Sequence, residues 1–311
     1  MLLNRGTRAG SGLSNRESPP HIRMGRDETI QVDAKTDAVF KRKGYIVLKK
    51  ISEGAFGEVY KAKNVKRGEM DAVKVMDLKR VAAKGMEQKY LDREIKALVD
   101  IKHPNVLKVN DIFRAKGKLY IFMEFAPNGT LKQKVKEAPG RYLKERQAKH
   151  WFKQCVDALC CMHGQHRMAH RDIKLDNVLL DQHDNAKLSD FGFTREFNLE
   201  GRLATTYCGT EPYYAPEILS KTPYNPFLYD VWSMGVMLFI MLNGRLPFRV
   251  DKKHRMECVK EMKRLNYNTN PAVWDLLTDE VKDLIGAMFI FNPDQRPNIL
   301  AVREHPWFGF N

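Results

Sequence analysis

The chain has 311 residues and a formal net charge of +15 at pH 7, with 43% hydrophobic and 29% charged residues. That balance reads as a water-soluble globular protein, long enough to divide its core between two lobes. The longest apolar run, roughly Val231 to Leu242, is short for a membrane span, and Met1-Leu2-Leu3 gives way to polar residues too soon for a secretory signal.

Residues 1–43 read as a disordered basic leader. They are rich in Gly, Ser and Arg, contain Ser18-Pro19-Pro20 and show no periodicity. Residues 1–26 hold five arginines and one glutamate, a net of +4, so most of the excess positive charge lies further along. From Tyr45 the pattern changes. Tyr45-Ile46-Val47-Leu48, Val59-Tyr60-Lys61-Ala62 and Ala72-Val73-Lys74-Val75 predict short strands joined by glycine-containing turns. Leu91, Ile95, Leu98 and Val99 then repeat at helical spacing. Lys118 to Met123 predicts another strand, and Pro127-Asn128-Gly129 breaks it. Beyond lies a mostly helical part, clearest over Arg146–Met162, Val231–Leu242 and Val281–Phe289.

The five cysteines, Cys155, Cys160, Cys161, Cys208 and Cys258, form no Cys-x-x-Cys pair. Their pattern suggests neither a zinc site nor a disulfide framework, and points to a reducing, cytoplasmic setting with nuclear entry left open. A dense basic stretch runs through Lys132, Lys134, Lys136, Arg141, Lys144, Arg146, Lys149 and Lys153. The sequence leaves two readings of it open, a solvated helix face or a docking surface for an acidic protein, anionic lipid or nucleic acid. It carries no fingerprint of specific nucleic-acid binding.

Three local patterns carry chemistry. Ile51-Ser52-Glu53-Gly54-Ala55-Phe56-Gly57-Glu58-Val59 lies between two predicted strands, where small residues let backbone N–H groups approach phosphates. Alone, the same loop reads equally as a plain hairpin. Lys74 sits in an apolar strand and Glu94 inside the apolar stripe of a helix. Each charge would be costly to bury unpaired, so a mutual pair competes with two independent snorkelling side chains. Finally, His170-Arg171-Asp172-Ile173-Lys174-Leu175-Asp176-Asn177 precedes Asp190-Phe191-Gly192. It gathers a candidate base, a cation and two hard oxygen ligands suited to Mg²⁺.

This ordered set resembles the eukaryotic protein serine/threonine kinases over about Tyr45 to Phe308. The resemblance implies an α+β, two-lobed kinase fold: an N-lobe of about 44–123 with one regulatory helix, a hinge at 124–126, a larger helical C-lobe over 127–308, and a tail of 309–311. It further implies transfer of the γ-phosphoryl group of ATP, with Mg²⁺, to serine or threonine of protein substrates. Asp172 would accept or orient the hydroxyl proton, Lys174 would stabilise the transferring group, and Asn177 and Asp190 would hold the metal. Lys74 would hold the α- and β-phosphates, positioned by Glu94. The loop Ile51, Ser52, Glu53, Gly54, Ala55, Phe56, Gly57 would cover the phosphates. Ile51, Val59, Ala72 and Leu179 would line the adenine pocket, the backbone of Glu124 and Ala126 would bond its edge, and Met123 would close its back. Thr130 stands where the family's acidic ribose contact is usual, and Asp176 would favour a basic residue upstream of the target.

The resemblance also places a regulatory threonine at Thr206, received by Arg171 and Arg195 after phosphorylation by an upstream kinase. It pairs Glu217 of Ala215-Pro216-Glu217 with Arg296. The run Val231 to Phe248 is similar to the calcium/calmodulin-dependent kinase group, and the compact layout is most similar to its testis-specific serine kinase family. Ser52, in place of the family's first loop glycine, is the one feature favouring an alternative, a pseudokinase scaffold that binds partners without turnover. The oligomeric state is not legible.

Overall fold

Alternating side chains build the first layer. A computed structural model describes residues 33–54, 57–83, 99–191, 194–197 and 203–309. Strands β1 (Tyr45–Gly54), β2 (Gly57–Asn64), β3 (Met70–Asp77), β4 (Val109–Ala115) and β5 (Lys118–Glu124) form one antiparallel sheet in the order β1-β2-β3-β5-β4. Both faces of its centre are covered, which is why β3 reads as an unbroken apolar run around Lys74. Val73 and Val75 join Tyr60, Tyr120 and Phe122 in an outer core, while Met76, Leu119 and Ile121 belong to the larger core that continues into the second lobe.

Helix α1 (Ala34–Arg42) closes the outer core. This corrects the reading of residues 1–43 as wholly disordered. Asp33 caps the helix by accepting from the Thr36 amide at 3.0 Å, and Phe40 is fully buried, edge-on to Tyr60, Tyr120 and Phe122. The apolar residues are few, but Thr36, Val39 and Phe40 share the face that meets the sheet. Residues 1–32 lie outside the described part. So do Leu91, Ile95 and Leu98 of the helix expected there.

A short helix α2 (Leu78–Ala83) follows β3, and after β5 the chain turns helical. Helices α3 (Leu131–Glu137), α4 (Glu145–Cys160), α5 (Pro216–Leu219), α6 (Pro226–Asn243), α7 (Arg255–Arg264), α8 (Pro271–Trp274), α9 (Asp279–Met288) and α10 (Ile299–Arg303) make the second lobe. Between α4 and α5, strands β7 (Val178–Leu180) and β8 (Ala186–Leu188) pair as a hairpin, and β6 (Met168–Ala169) pairs with β9 (Arg195–Glu196).

Helix α6 is longer than the apolar run suggests. At 18 residues with a mean hydropathy of 1.3 it is long and apolar enough to cross a bilayer, yet 83% of it is buried inside the protein. A helix apolar on all sides can serve as the central post of a large core, and α6 does so here, with Val231, Trp232, Met234, Met237, Leu238 and Phe239 fully or almost fully enclosed. The carboxy-terminal end is tied back to α4: Glu145 accepts from Thr278 Oγ1 and Trp307 Nε1, each at 2.7 Å. All five cysteines are free and buried.

Candidate active site

Strand register aims Lys74 at the cleft. It stands opposite Val59 on β2 and Ile121 on β5, on the sheet face that looks toward the second lobe. Its Nζ donates to Asp190 Oδ1 at 2.6 Å, a polar contact between the lobes. Partial burial pushes the Asp190 carboxyl up; Lys74, with Lys174 nearby, outweighs this and holds it below the ordinary carboxylate range. Glu94, the partner the sequence suggests for Lys74, lies outside the described residues, as do Ala55, Phe56 and Gly192.

Asp172 is held on three sides. Only 3% exposed, its carboxylate accepts from Lys174 Nζ at 2.7 Å, Thr210 Oγ1 at 2.7 Å and Asn177 Nδ2 at 3.0 Å. Asn177 Nδ2 also donates to the Asp172 carbonyl at 2.8 Å, and Lys174 reaches Thr210 Oγ1 at 2.8 Å. Four side chains thus form one closed network. The direction of the amide is set by its nitrogen, so its oxygen is left for another partner.

The loop carrying Asp172 is strained and braced. Arg171 and Asp190 both take left-handed backbone, φ 63° and 60°. Such conformations cost on the order of 1–3 kcal/mol each and persist where their surroundings over-determine them. Asp230, fully buried at the start of α6, supplies that bracing: its two carboxylate oxygens accept from the His170 and Arg171 amides at 2.7 Å each, and His163 Nε2 sits 2.9 Å away. His170 is itself fully buried. Its Nε2 donates to the Ser189 carbonyl at 3.0 Å, leaving Nδ1 to accept from the Asp172 amide at 3.3 Å. Burial lowers its pKa, so the ring is neutral and serves as scaffold rather than proton carrier.

The roof of the cleft is the hairpin of β1 and β2. Gly57 lies so close to β3 that an added Cβ would collide with the Val75 carbonyl oxygen, so only glycine fits. Ser52, by contrast, lies in β1 opposite Val59, in a strand conformation any residue adopts. The serine therefore costs no backbone strain where the family has glycine. Ala72 is buried, Val59, Met123 and Leu179 are half-buried, and Ile51 is exposed. Glu124 ends β5 and Ala126 follows it. The Glu124 side chain turns to Lys187, 3.1 Å from both oxygens. Thr130 is occupied locally: it caps α3 in a capping box with Gln133.

The segment between Asp190 and Glu217 runs past the network. Thr206 is exposed and its carbonyl accepts from Tyr224 Oη at 2.9 Å. Arg171 is buried, beside Phe197. Arg195 pairs in β9 with Ala169, two residues before Arg171; its side chain lies outside the described part. Gly209 passes so near the loop that carries Asp172 that a Cβ would meet the Tyr229 hydroxyl and the Arg171 carbonyl oxygen. Beyond it, Arg296 grips Glu217 through two bonds of 2.8 and 3.2 Å, both side chains buried, and gives two further N–H groups to the Ile290 and Leu228 carbonyls.

Sequence reasoning misses the role of Lys132, which reaches Asp176 at 2.6 Å. In the sequence this lysine belongs to one basic stretch, which the fold distributes over α3, α4 and the segment between them. Lys134 lies 3.6 Å from Asp184 and Lys149 sits over the Trp307 ring, so neither is a bare charge.

A five-stranded antiparallel lobe set over a helical lobe, with a lysine and a carboxylate meeting across the cleft, defines the two-lobed protein kinase fold. The protein kinase domain family matches residues 45–308. The chain is 36% identical over 275 residues to testis-specific serine/threonine-protein kinase 1 of Mus musculus, covering 87% of this chain and 73% of that protein. It is equally 36% identical, over 266 residues, to CBL-interacting serine/threonine-protein kinase 15 of Arabidopsis thaliana, covering 85% of this chain and 61% of the relative. A second plant relative, CBL-interacting serine/threonine-protein kinase 20 of Arabidopsis thaliana, is 34% identical over 88% of this chain and 60% of its own length. This chain belongs to the serine/threonine protein kinase family. It spans about three-fifths of the length of these plant relatives.

Proposed function

We propose that this protein transfers the γ-phosphoryl group of ATP to serine or threonine hydroxyls of other proteins. One observation carries the reading: Lys74 and Asp190 face each other at 2.6 Å beside an Asp172 carboxylate that three donors hold in place. Asp172 orients the acceptor hydroxyl and takes its proton. Lys174, already bonded to Asp172, stands where charge on the transferring group must be neutralised. Lys74 holds the phosphates of the nucleotide, under the hairpin that contains Ser52, Glu53, Gly54 and Gly57. The adenine ring fits between Ile51, Val59 and Ala72 above and Leu179 below, with the backbone of Glu124 and Ala126 at its edge.

The donor set suits Mg²⁺. The ionised Asp190 carboxylate and the amide oxygen of Asn177 are hard oxygen ligands, and two such protein ligands plus phosphates and water complete the usual shell. When bound, the metal neutralises phosphate charge. The chain's own part is to hold Asp190 in place and below its ordinary carboxylate range through Lys74, and to keep Asn177 oriented through Asp172.

Phosphorylation of Thr206 by an upstream kinase is part of the proposal. Thr206 is exposed, and the same segment touches the Asp172 network through Thr210. Arg171 and Arg195 are the proposed receivers of the phosphate.

The deciding experiment is incorporation of label from γ-labelled ATP into a generic protein substrate, wild type against Asp172→Ala. Transfer by the wild type and its loss in the variant support the reading; equal incorporation removes Asp172 from the mechanism.

A further inference from the structure

The rim of the cleft beside Asp172 holds an ion pair that the transfer reaction does not use. Asp176 sits in the single 3₁₀ turn Leu175–Asn177, between two buried residues. Lys174 and Asn177 both turn inward to Asp172. Asp176 turns outward, 42% exposed, and is met by Lys132 at 2.6 Å. Lys132 is well placed for this. The preceding residue, Leu131, is fully buried, Thr130 caps the same helix, and Thr130 also bridges to Leu179 just beyond the turn. The α3 backbone is therefore fixed against the turn that carries Asp176.

A polypeptide that brings its hydroxyl to Asp172 must cross this rim. An uncompensated carboxylate there would reward a basic side chain near the acceptor residue. Here a lysine of the same chain is already on it. Tethered charges compete at an effective concentration on the order of millimolar. A substrate arginine would only exchange one half-exposed ion pair for another, a trade worth little. The displaced Lys132 would then repel it. Thr130 adds no negative charge, and its hydroxyl is engaged in the helix cap.

We infer that Lys132 is a specificity-determining residue: by neutralising Asp176 it frees the enzyme from any requirement for a basic side chain beside the phosphorylated serine or threonine. The inference rests on the proposed protein-kinase activity and names the substrate class for that same cleft. It reverses the expectation, suggested by Asp176 alone, of a preference for basic substrates. Loss of Lys132 unmasks that preference.

The test is a walk of one arginine through every position from five before to five after the serine of an otherwise neutral peptide. For the wild type, kcat/KM at every position stays within about twofold of the neutral parent, the limit set by an exchanged surface pair. In Lys132→Ala, one or two positions gain about fivefold, as an uncancelled partly exposed carboxylate allows. Lys132→Ala combined with Asp176→Asn loses the gain, each profile being read relative to the neutral parent peptide with the same protein. A wild-type arginine preference that Asp176→Asn abolishes overturns the inference, as does an arginine profile unchanged by Lys132→Ala. Fluorescence anisotropy of the labelled arginine peptides gives a readout independent of turnover. Tighter binding to Lys132→Ala than to wild type supports the inference and equal affinity refutes it. Failure of the phosphoryl-transfer reading is seen separately, as a neutral parent peptide that the wild type leaves unlabelled.

Discussion

Lys74 and Asp190 are separated by 116 positions in the chain and by 2.6 Å in space. Lys74 rides on the stiff centre of the upper sheet, and Asp190 stands on a left-handed residue at the end of the lower hairpin. Their contact is therefore a direct measure of cleft geometry. Lys74→Met leaves the fold in place but removes both the proposed phosphate ligand and the cation that holds the Asp190 carboxyl below its ordinary range. Loss of one charge-stabilising donor typically costs about 10²–10³ in kcat. The expected result is a fall of that size in phosphoryl transfer with a melting temperature close to wild type. A variant with near-normal turnover would remove Lys74 from the site.

Arg296 and Glu217 are buried and joined by two bonds. Arg296→Met strands the Glu217 carboxylate and two carbonyl oxygens. Breaking a buried pair on one side costs about 3–5 kcal/mol. Urea denaturation should show a loss in that range. The double variant Arg296→Met, Glu217→Gln should lose less than the two single variants summed, because no charge is left stranded.

Asp33 links α1 to the sheet. It caps the helix through Thr36 and accepts from Lys118 Nζ at 2.7 Å. Burial pushes its carboxyl up, but the bonds from Lys118 and Thr36 prevail and bring it down from 3.8 to about 2. A depressed carboxyl stabilises the fold above its unfolded-state value and loses that effect as pH falls through the folded-state value. Asp33→Ala should therefore cost about 0.5–2 kcal/mol at neutral pH, the usual cost of an N-cap loss. The gap between wild type and variant should close as the pH falls from about 4 toward 2. Chemical denaturation across that range checks the sign; a constant gap would show that the carboxylate charge plays no part.

Thr206 tests the regulatory proposal. A phosphate there adds about −1.5 to −2 charges within reach of the segment that carries Thr210. After full treatment with an activating kinase, wild-type turnover should rise and that of Thr206→Ala should stay at its basal level. Equal turnover in both would end the switch idea.

Much of the cleft is legible in the amino-acid order because its chemistry is packed into short segments. Asp172, Lys174 and Asn177 lie within six residues of one another, so their meeting is nearly dictated by chain connectivity. Lys74 stands out as a charge in an apolar strand, and alternation gives its face. The helix Ala34–Arg42 escapes such reading because it offers three inward residues and no repeated period; Asp33 three positions before Thr36 is the available capping signal. Strand β4 escapes it for a similar reason: Val109-Asn110-Asp111-Ile112-Phe113-Arg114-Ala115 shows no clean alternation, and it forms as the edge partner of β5.

The order of residues along the chain determined which groups could do chemistry and which strands and helices would carry them, because those properties follow from local propensity and spacing. Only the tertiary structure decided which charges meet. Lys132 and Asp176, and Glu145 and Trp307, are each brought together by the docking of elements distant in sequence. Such pairings depend on where a rigid core places its faces, and no spacing within a single segment encodes that.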